Sequence, residues 1–344
     1  MVSPKMKKVF PLIILSILIN FEIYSDNTPI QSHNQPQDLI FTKNHLTSQD
    51  FPSEDVKNIT IKTTYETLEF SEIYGTDISI DVYSNNNTIL PEIKLENNTI
   101  TIKSSVITKS KKATLGDICK IIIYLPKDIW LNSLSILYAP ELFSQETEHP
   151  QKNEEFIIPA IKSLNTTIET INTSITGKNI TGNIVLKTKN GNIKLENITP
   201  KQVSKTKTTT KEDIQLYATT NSGTITISNF TGSYLSLKSG NNITARNIAP
   251  EIFEIKSLEG NIVATIKNSP LATSEIRTKS GNIQIFMPKN NSYTINVTSL
   301  RGTFIDKIDP QRKTRPHTIT KNYNNGGPSI NLETLTGTIE LESF

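Results

Sequence analysis

Seven glycines in the second half of the sequence occupy the same place in a repeated pattern of short apolar runs. They are Gly191, Gly223, Gly240, Gly260, Gly281, Gly302 and Gly337. An apolar residue precedes each glycine by five positions, as Ile276 precedes Gly281, and an isoleucine or phenylalanine follows two or three positions later, as Ile283 does. Such self-similarity restricts the chain to folds in which successive units share one geometry.

The spacing of these glycines predicts units of about 20 residues. Successive glycines are 32, 17, 20, 21, 21 and 35 residues apart, so the two long intervals contain insertions, at 200–213 and 309–328. A second break within the units, at Asn197, Asn229 and Asn247, divides each unit into two short strands joined by corners. We expect glycine at the first corner because it adopts positive φ at no steric cost.

A unit this short cannot bury its own apolar face and must be stabilised by its neighbours. The sequence therefore predicts an all-β fold, a β-solenoid-like stack of short strands. Residues 56–138 alternate apolar and polar side chains and form an N-terminal β part, 139–156 form a polar acidic insertion, and 157–344 form the C-terminal β-repeat part. Residues 161–175 show a heptad spacing typical of a helix, but their many Asn, Thr and Ser residues favour strands.

The first residues have the pattern of a secretory signal peptide over 1–25. Lys7 and Lys8 precede the apolar run 9–21, and a small residue, Ser25, follows at a plausible cleavage site. The alternative is an uncleaved anchor, but the run is several residues shorter than the roughly 20 that span a bilayer. We therefore expect an exported protein, in the periplasm, on the outer surface or secreted, without a transmembrane span after cleavage.

Residues 26–55 are polar, contain three prolines and lack any period, which predicts a flexible linker. Cys119 is the only cysteine, so an internal disulfide is excluded. It lies in the apolar run "ICKIIIYLP" and is expected to be a small buried hydrophobic residue. The formal net charge of +3 comes without a basic stripe and interleaved aromatic residues, so the sequence gives no case for nucleic acid as a partner.

The sequence predicts no residues for catalysis or for binding a metal or cofactor. The four histidines lie far apart, in the linker or in insertions: His33, His45, His149 and His317. Polysaccharide-cleaving enzymes on a β-helix scaffold need clustered carboxylates, whereas pairs such as Glu154 and Glu155 fall in insertions. A carbohydrate-active enzyme on this scaffold and an outer-membrane β-barrel remain as alternatives to a non-enzymatic solenoid.

The two insertions in the repeat part are rich in basic residues. These are the candidate contacts with an anionic partner: Lys201, Lys205, Lys207, Lys211, Arg312, Lys313 and Arg315. Loops that project from a rigid scaffold are where recognition is varied most easily. Anionic glycans or membrane headgroups are the partners that such a set predicts, although ordinary solvated loops have the same composition.

Three segments carry a resemblance to a known family. "TKSGNIQI" (278–285), "TNSGTITISNFTG" (220–232) and "LTGTIELE" (335–342), after the strand run "IIIYLPKDIWLNSLSI", resemble the bacterial β-strand-repeat proteins called "putative adhesins", over about 56–344. The resemblance implies a non-catalytic binding, adhesion or structural role in the cell envelope or outside it, with a surface glycan, an envelope component or another protein as partner. Asn or Thr follows the corner glycine where the family commonly has Asp, so no cation is expected there.

Overall fold

The structure is a computed structural model, which describes residues 45–63, 66–84, 91–104, 119–138, 155–158, 160–199, 215–309 and 318–344. These residues form twenty-four strands and one short 3-10 helix, Ser53–Asp55. The predicted all-β fold is confirmed. The first nine strands are β1 (His45–Pro52), β2 (Asn58–Thr63), β3 (Thr67–Ile73), β4 (Asp77–Ser84), β5 (Glu92–Glu96), β6 (Thr99–Lys103), β7 (Cys119–Pro126), β8 (Trp130–Tyr138) and β9 (Glu155–Ile158).

The remaining strands follow the corners that the glycines mark. They are β10 (Lys162–Thr170), β11 (Ser174–Lys178), β12 (Thr181–Thr188), β13 (Ile193–Ile198), β14 (Gln215–Thr220), β15 (Ile225–Ser239), β16 (Ile243–Ser257), β17 (Ile262–Ile266), β18 (Ser274–Thr278), β19 (Ile283–Met287), β20 (Tyr293–Ser299), β21 (Phe304–Asp306), β22 (Thr318–Tyr323), β23 (Ser329–Thr334) and β24 (Ile339–Ser343). The segment with heptad spacing forms strands, as predicted, because its Ile161, Ile168 and Ile175 are buried in the core.

Twenty strands form one hydrogen-bonded sheet that folds into two faces around one core. The front face has the order β5-β6-β2-β8-β10-β12-β14-β15-β16-β18-β23-β20-β22. The back face has the order β9-β11-β13-β15-β16-β17-β19-β24-β21. One front strand and the back strand after it make a rung, and the long strands β15 and β16 each contribute to both faces. The other four strands form a separate sheet, β1-β4-β7-β3.

The N-terminal and C-terminal β parts share the front face. Strand β8 pairs with β2 on one side and with β10 on the other. The isoleucines and leucines that flank the corner glycines point inward, and all of them are buried. Stacking of parallel strands therefore builds a continuous core that no single unit has alone.

Two predicted boundaries are wrong. Residues 45–52 of the predicted linker form β1, which pairs antiparallel with β4, and Ser53–Asp55 form the 3-10 helix. The edge of β4 offers a hydrogen-bond ladder, and Phe51 packs against the core, so a polar segment is ordered as an edge strand. Glu155 and Phe156, predicted in the acidic insertion, begin β9, with Phe156 buried. Residues 1–44 and 139–154, with the signal peptide, lie outside the described residues.

The order of the last two rungs differs from their order in the chain. Strands β23 and β24 lie between the rung of β18 and β19 and the rung of β20 and β21. The rung that comes last in the sequence is thus inserted one place before the end of the stack. The returning strand β22 pairs antiparallel with β20 at this end of the stack.

Six of the seven corner glycines form one stacked column, and the reason is close approach rather than positive φ. Of the described glycines, only Gly182 and Gly326 have positive φ. A Cβ added to Gly281 would lie 2.0 Å from the carbonyl oxygen of Gly260, and one added to Gly337 would lie 1.9 Å from that of Gly281. No Cβ fits at such distances. The expectation that these corners need glycine for a positive φ is therefore wrong, and glycine is needed because the neighbouring rung lies too close for a side chain.

The seventh glycine, Gly240, lies beside this column. The strand register pairs Ala218 with Leu237, whereas the glycine spacing aligns Ala218 with Leu235. The corner of this rung is one residue shorter, and Asn241 occupies the place between the glycines at 223 and 260. The predicted alignment is therefore two residues out at this rung.

A column of buried hydroxyl groups supports the glycine column. In the rung of Gly281, the hydroxyl of Thr278 donates to the carbonyl oxygen of Gly260 at 3.0 Å and accepts from the amide of Gly281 at 3.2 Å. Thr334 makes the same two bonds one rung further on. Other members of the column, all buried, are Thr188, Thr220, Ser239, Ser257 and Ser299. Each hydroxyl satisfies backbone groups that would otherwise be buried without a partner at a tight corner.

Candidate binding faces

Within the described residues, the structure brings none of the candidate site residues named from the sequence together. Within the described ranges, no three or more His, Cys, Asp and Glu side chains are grouped as a metal site would need. His33, His149 and His317 lie outside those ranges, and only the backbone of His45 is described. All seven basic candidates also lie outside them, namely Lys201, Lys205, Lys207, Lys211, Arg312, Lys313 and Arg315.

Cys119 is buried at the start of β7, as expected for a hydrophobic residue. Burial, together with the negative charge of Glu66, raises the pKa of its thiol to about 12. Glu66 is itself fully buried and accepts a hydrogen bond from the hydroxyl of Ser104. Because the thiolate is the nucleophilic form, this cysteine is unsuited to catalysis at neutral pH.

A row of asparagines marks the edge of the back face, at the residue just before four of its strands, β13, β16, β17 and β19. The side-chain oxygen of Asn242 accepts the backbone N–H of Asn261 at 2.8 Å, that of Asn261 accepts Asn282 at 2.8 Å, and that of Asn282 accepts Thr338 at 2.7 Å. Asn192 does the same for Thr224 at 2.8 Å. We call Asn192, Asn242, Asn261 and Asn282 the asparagine row.

These hydrogen bonds fix which way each amide points. An amide oxygen that accepts a backbone N–H leaves the NH₂ group on the opposite side of the side chain, with two donors. All four residues of the asparagine row are exposed. The row therefore presents NH₂ donors to solvent, repeated along the stack at the strand spacing of roughly 4.8 Å wherever the rungs are adjacent.

Two shallow grooves lie along this edge. One has a volume of about 350 Å³ and is lined by Asn192 together with Ser174, Thr176, Lys194, Thr224 and Thr226. The second, of about 260 Å³, is lined by Asn261, Asn282, Val263, Gln284, Thr338 and Glu340. Hydroxyl and amide groups contribute to both linings, beside apolar side chains. Such surfaces donate and accept hydrogen bonds without a strong preference for ligand charge.

The charges beside the second groove are paired with one another. Lys307 contacts both Glu340 and Glu342, the latter at 3.1 Å, and Glu342 also accepts from the amide of Gln284 at 2.8 Å. The hydrogen bonds from Gln284 and then Lys307 lower the pKa of Glu342. Because Lys307 is exposed and both carboxylates are only half-buried, the pairs add little stability. One lysine against two carboxylates leaves a net charge of −1 beside the groove.

The sequence contained the asparagine row but did not reveal its role. Asn192, Asn261 and Asn282 were notable only as the residues after a corner glycine in place of Asp. The signal that could have found the row is the recurrence of Asn or Thr immediately before the first buried isoleucine of each back strand. The hydrogen-bond partner of each asparagine side chain, a backbone N–H of the next rung, is known only from the stacking of the rungs.

A family model described as Toastrack DUF4097 matches the sequence over residues 56–342. The chain belongs to this family. Toastrack domains are β-solenoid-like, in agreement with the stacked rungs of this structure. The predicted resemblance to the "putative adhesin" proteins is confirmed. No match was found among the curated proteins.

Solved structures similar to this Toastrack chain include proteins of Bacteroides and Parabacteroides species. A "putative adhesin" from Bacteroides fragilis is 15% identical, with 86% of this chain and 96% of that chain covered and a TM-score of 0.38. A "putative adhesin" and a "putative lipid binding protein" from Parabacteroides distasonis are each 14% identical, with the same coverage and TM-scores of 0.41. Across the described part of the Toastrack chain, no helix has the length and apolar character to cross a membrane.

Proposed function

We propose that this Toastrack protein is exported and acts as a non-catalytic binding protein that holds an extended polymer along the asparagine row of its back face. The observation that supports this is the regular row of amide donors, oriented by the backbone of the neighbouring rung. The signal-peptide pattern over 1–25 supports export, and the names of the similar structures are consistent with adhesion.

A polymer suits this surface better than a small molecule does. The two grooves are shallow and open, and each is lined by residues of several neighbouring rungs. A repeating ligand can gain one weak hydrogen bond per rung, and many weak contacts in a row add up to useful affinity. A polysaccharide is the candidate class, since its hydroxyl and ring oxygens accept hydrogen bonds from NH₂ groups at intervals comparable with the rung spacing.

The test removes the donors and keeps the structure. In the double variant Asn261→Asp and Asn282→Asp, the carboxylates still accept the backbone N–H groups of the next rung, but the NH₂ donors are gone. We expect the wild-type protein to bind at least one member of a panel of xylan, laminarin, glucomannan and alginate, and the double variant to bind it about ten-fold more weakly. Affinity electrophoresis of the intact secreted protein measures both.

A matched control is Asn183→Asp on the front face, where the side-chain oxygen of Asn183 also accepts a backbone N–H, from Gln215 at 3.1 Å. It should bind like wild type. Equal binding by the double variant, or no binding of any polysaccharide in the panel, would refute the proposal. New reducing ends in the same incubations would instead identify the protein as a carbohydrate-active enzyme.

We also propose that the basic insertions bind an anionic partner. Residues 201–211 contain four of the basic candidates, and deleting them should weaken binding to chondroitin sulfate at low salt about ten-fold, with little difference at high salt. Replacing the four lysines by glutamines, with the loop kept at full length, is the control for loop length. Unchanged binding by both variants at low salt would show that these insertions are ordinary solvated loops.

A further inference from the structure

The front face carries two neighbouring tyrosines on its outer surface. Tyr217 on β14 and Tyr234 on β15 have ring centroids 5.4 Å apart and ring planes inclined at 39°. Tyr217 is 37% exposed and Tyr234 is half-buried. The two rings lie diagonally on adjacent strands, because Tyr217 pairs with Ser236 and Tyr234 pairs with Gln215. Together they form a shallow, tilted aromatic platform.

Polar groups surround this platform and hold it in place. The hydroxyl of Tyr217 donates to the side-chain oxygen of Gln215 at 3.0 Å. Burial, followed by the negative charge of Glu254, raises the pKa of both tyrosine hydroxyls. Both are therefore neutral at physiological pH, and the rings are displayed with their hydroxyls able to take part in hydrogen bonds.

A network of ion pairs adjoins the tyrosines. Glu254 accepts from Lys238 at 3.1 Å, from Lys256 at 2.6 Å and from the hydroxyl of Ser236 at 3.2 Å. Lys256 also pairs with Glu275 at 3.0 Å. Burial alone would raise the pKa of Glu254, but the hydrogen bonds from the two lysines outweigh it, and the pKa is lowered. Two lysines balance two carboxylates, so the network has no net charge and still offers both donors and acceptors.

We infer that this cluster is a binding site for a neutral saccharide, with one pyranose ring against Tyr217 and Tyr234. The C–H groups of a sugar carry partial positive charge and are attracted by the negative face of an aromatic ring. The sugar hydroxyls, which both donate and accept hydrogen bonds, match Gln215, Glu254 and Lys238. A charged sugar would disturb the balanced ion pairs, which is why the inference specifies a neutral one.

The tyrosine cluster lies on a different face from the asparagine row and offers a different chemistry, beyond the proposed function. The asparagine row offers donors to an extended chain, whereas the tyrosine cluster offers an aromatic surface to a single ring. Cross-strand packing of two aromatic rings would by itself stabilise the sheet. The experiment must therefore measure binding separately from stability.

Calorimetric titration of the intact protein with cellohexaose, xylohexaose, mannohexaose and laminarihexaose tests the inference. We expect at least one of these neutral oligosaccharides to bind, Tyr217→Ala to weaken that binding about ten-fold or more, and Tyr217→Phe to stay within about three-fold of wild type. Phe keeps the ring and loses only the hydroxyl. Absence of binding by all four sugars, or unchanged binding by Tyr217→Ala, would overturn the inference.

Two further measurements keep this result separate from folding and from the proposed function. If Tyr217→Ala does not fold, the wild-type protein is tested instead, by saturation transfer from the tyrosine ring protons to the sugar C–H protons. Absence of transfer would count against the site. The Asn261→Asp and Asn282→Asp double variant measures how much of the hexasaccharide binding belongs to the asparagine row. If it loses this binding while Tyr217→Ala retains it, the saccharide lies on the back face, and only the proposed function stands.

Discussion

Replacing Gly281 with valine is expected to lower the free energy of unfolding by about 3 kcal/mol or more. A Cβ at this position would lie 2.0 Å from the carbonyl oxygen of Gly260 and 2.4 Å from its carbon. Both atoms belong to the backbone of the neighbouring rung, so relief requires the rungs to separate and weakens the hydrogen bonds of Thr278 at the same corner. Thermal and denaturant unfolding followed by circular dichroism measures the loss.

Gly75→Val is the matched control for this prediction. The chemical change is identical, but a Cβ at Gly75 would meet only a side-chain atom of Ile73, at 3.8 Å, and the residue is exposed. We expect it to alter stability by no more than about 0.5 kcal/mol. If Gly281→Val were as stable as Gly75→Val, the close contact between rungs would not exist in solution, and the stacked column would be wrong.

The local features of the fold were predictable because each is repeated. The alternation of apolar and polar residues identified the strands, and the glycines identified the corners, since both patterns arise within one unit. The reason for glycine was not predictable, because the atom that excludes a Cβ at Gly281 belongs to Gly260, a residue of the next rung. The sequence shows the glycine but not the atom of the neighbouring rung that requires it.

The order of the rungs was also beyond prediction. The unit of β20 and β21 and the unit of β23 and β24 present equivalent apolar flanks, and both pair in parallel with their neighbours. Nothing local distinguishes the rung that stacks on β18 and β19 from the one that ends the stack. The side chains that close the stack, Tyr293, Asp306 and Tyr323, lie on three different strands and meet only after folding.

The candidate binding faces were predictable in part for the same reason. The asparagines recur at a fixed place in the unit, so a row could be expected once the stacking was known. Tyr217 and Tyr234 are single residues on consecutive units, and whether they meet depends on the register. That register is set where the Gly240 corner is one residue short, which is where the predicted alignment fails.

A buried carboxylate, Asp306, joins the strands at the end of the stack. One of its oxygens accepts from the amine of Lys321 and from the hydroxyl of Tyr323, both at 2.6 Å. The other accepts the backbone N–H groups of Ile308 at 3.0 Å and Asp309 at 3.1 Å. The Asp306 side chain is 5% exposed. The two bonds to Lys321 and Tyr323 connect the short strand β21 to the returning strand β22.

Aromatic packing completes this closure. Tyr323 stacks on Tyr293, with ring centroids 4.9 Å apart and planes 27° apart. Burial, and then the charge of Asp306, raises the pKa of Tyr293 to about 12. Burial alone would raise the pKa of Asp306 itself, but the hydrogen bonds from Lys321 and Tyr323 outweigh it, and the pKa is lowered. The carboxylate is therefore ionised at neutral pH and well satisfied.

Asp306→Ala is expected to destabilise the protein by about 3 kcal/mol at neutral pH, because it leaves the partly buried Lys321 amine and the Tyr323 hydroxyl without their acceptor. Asp309→Ala is the control. It removes the same charge, from a side chain that is 58% exposed and 3.5 Å from Lys321, and should cost no more than about 0.5 kcal/mol. Chemical unfolding of both variants makes the comparison. Equal losses in the two would contradict a special role for Asp306.

The pH dependence follows from the lowered pKa of Asp306. A carboxyl group whose pKa is lower in the folded state contributes stability above its unfolded pKa, about 3.9, and this contribution is lost as the pH falls through the folded value. The stability difference between wild type and Asp306→Ala should therefore be constant from pH 7 to about 5 and shrink below about 4. Unfolding midpoints measured across that range give the result. A difference that stays constant down to about pH 2 would mean that the carboxylate charge contributes nothing to closing the stack.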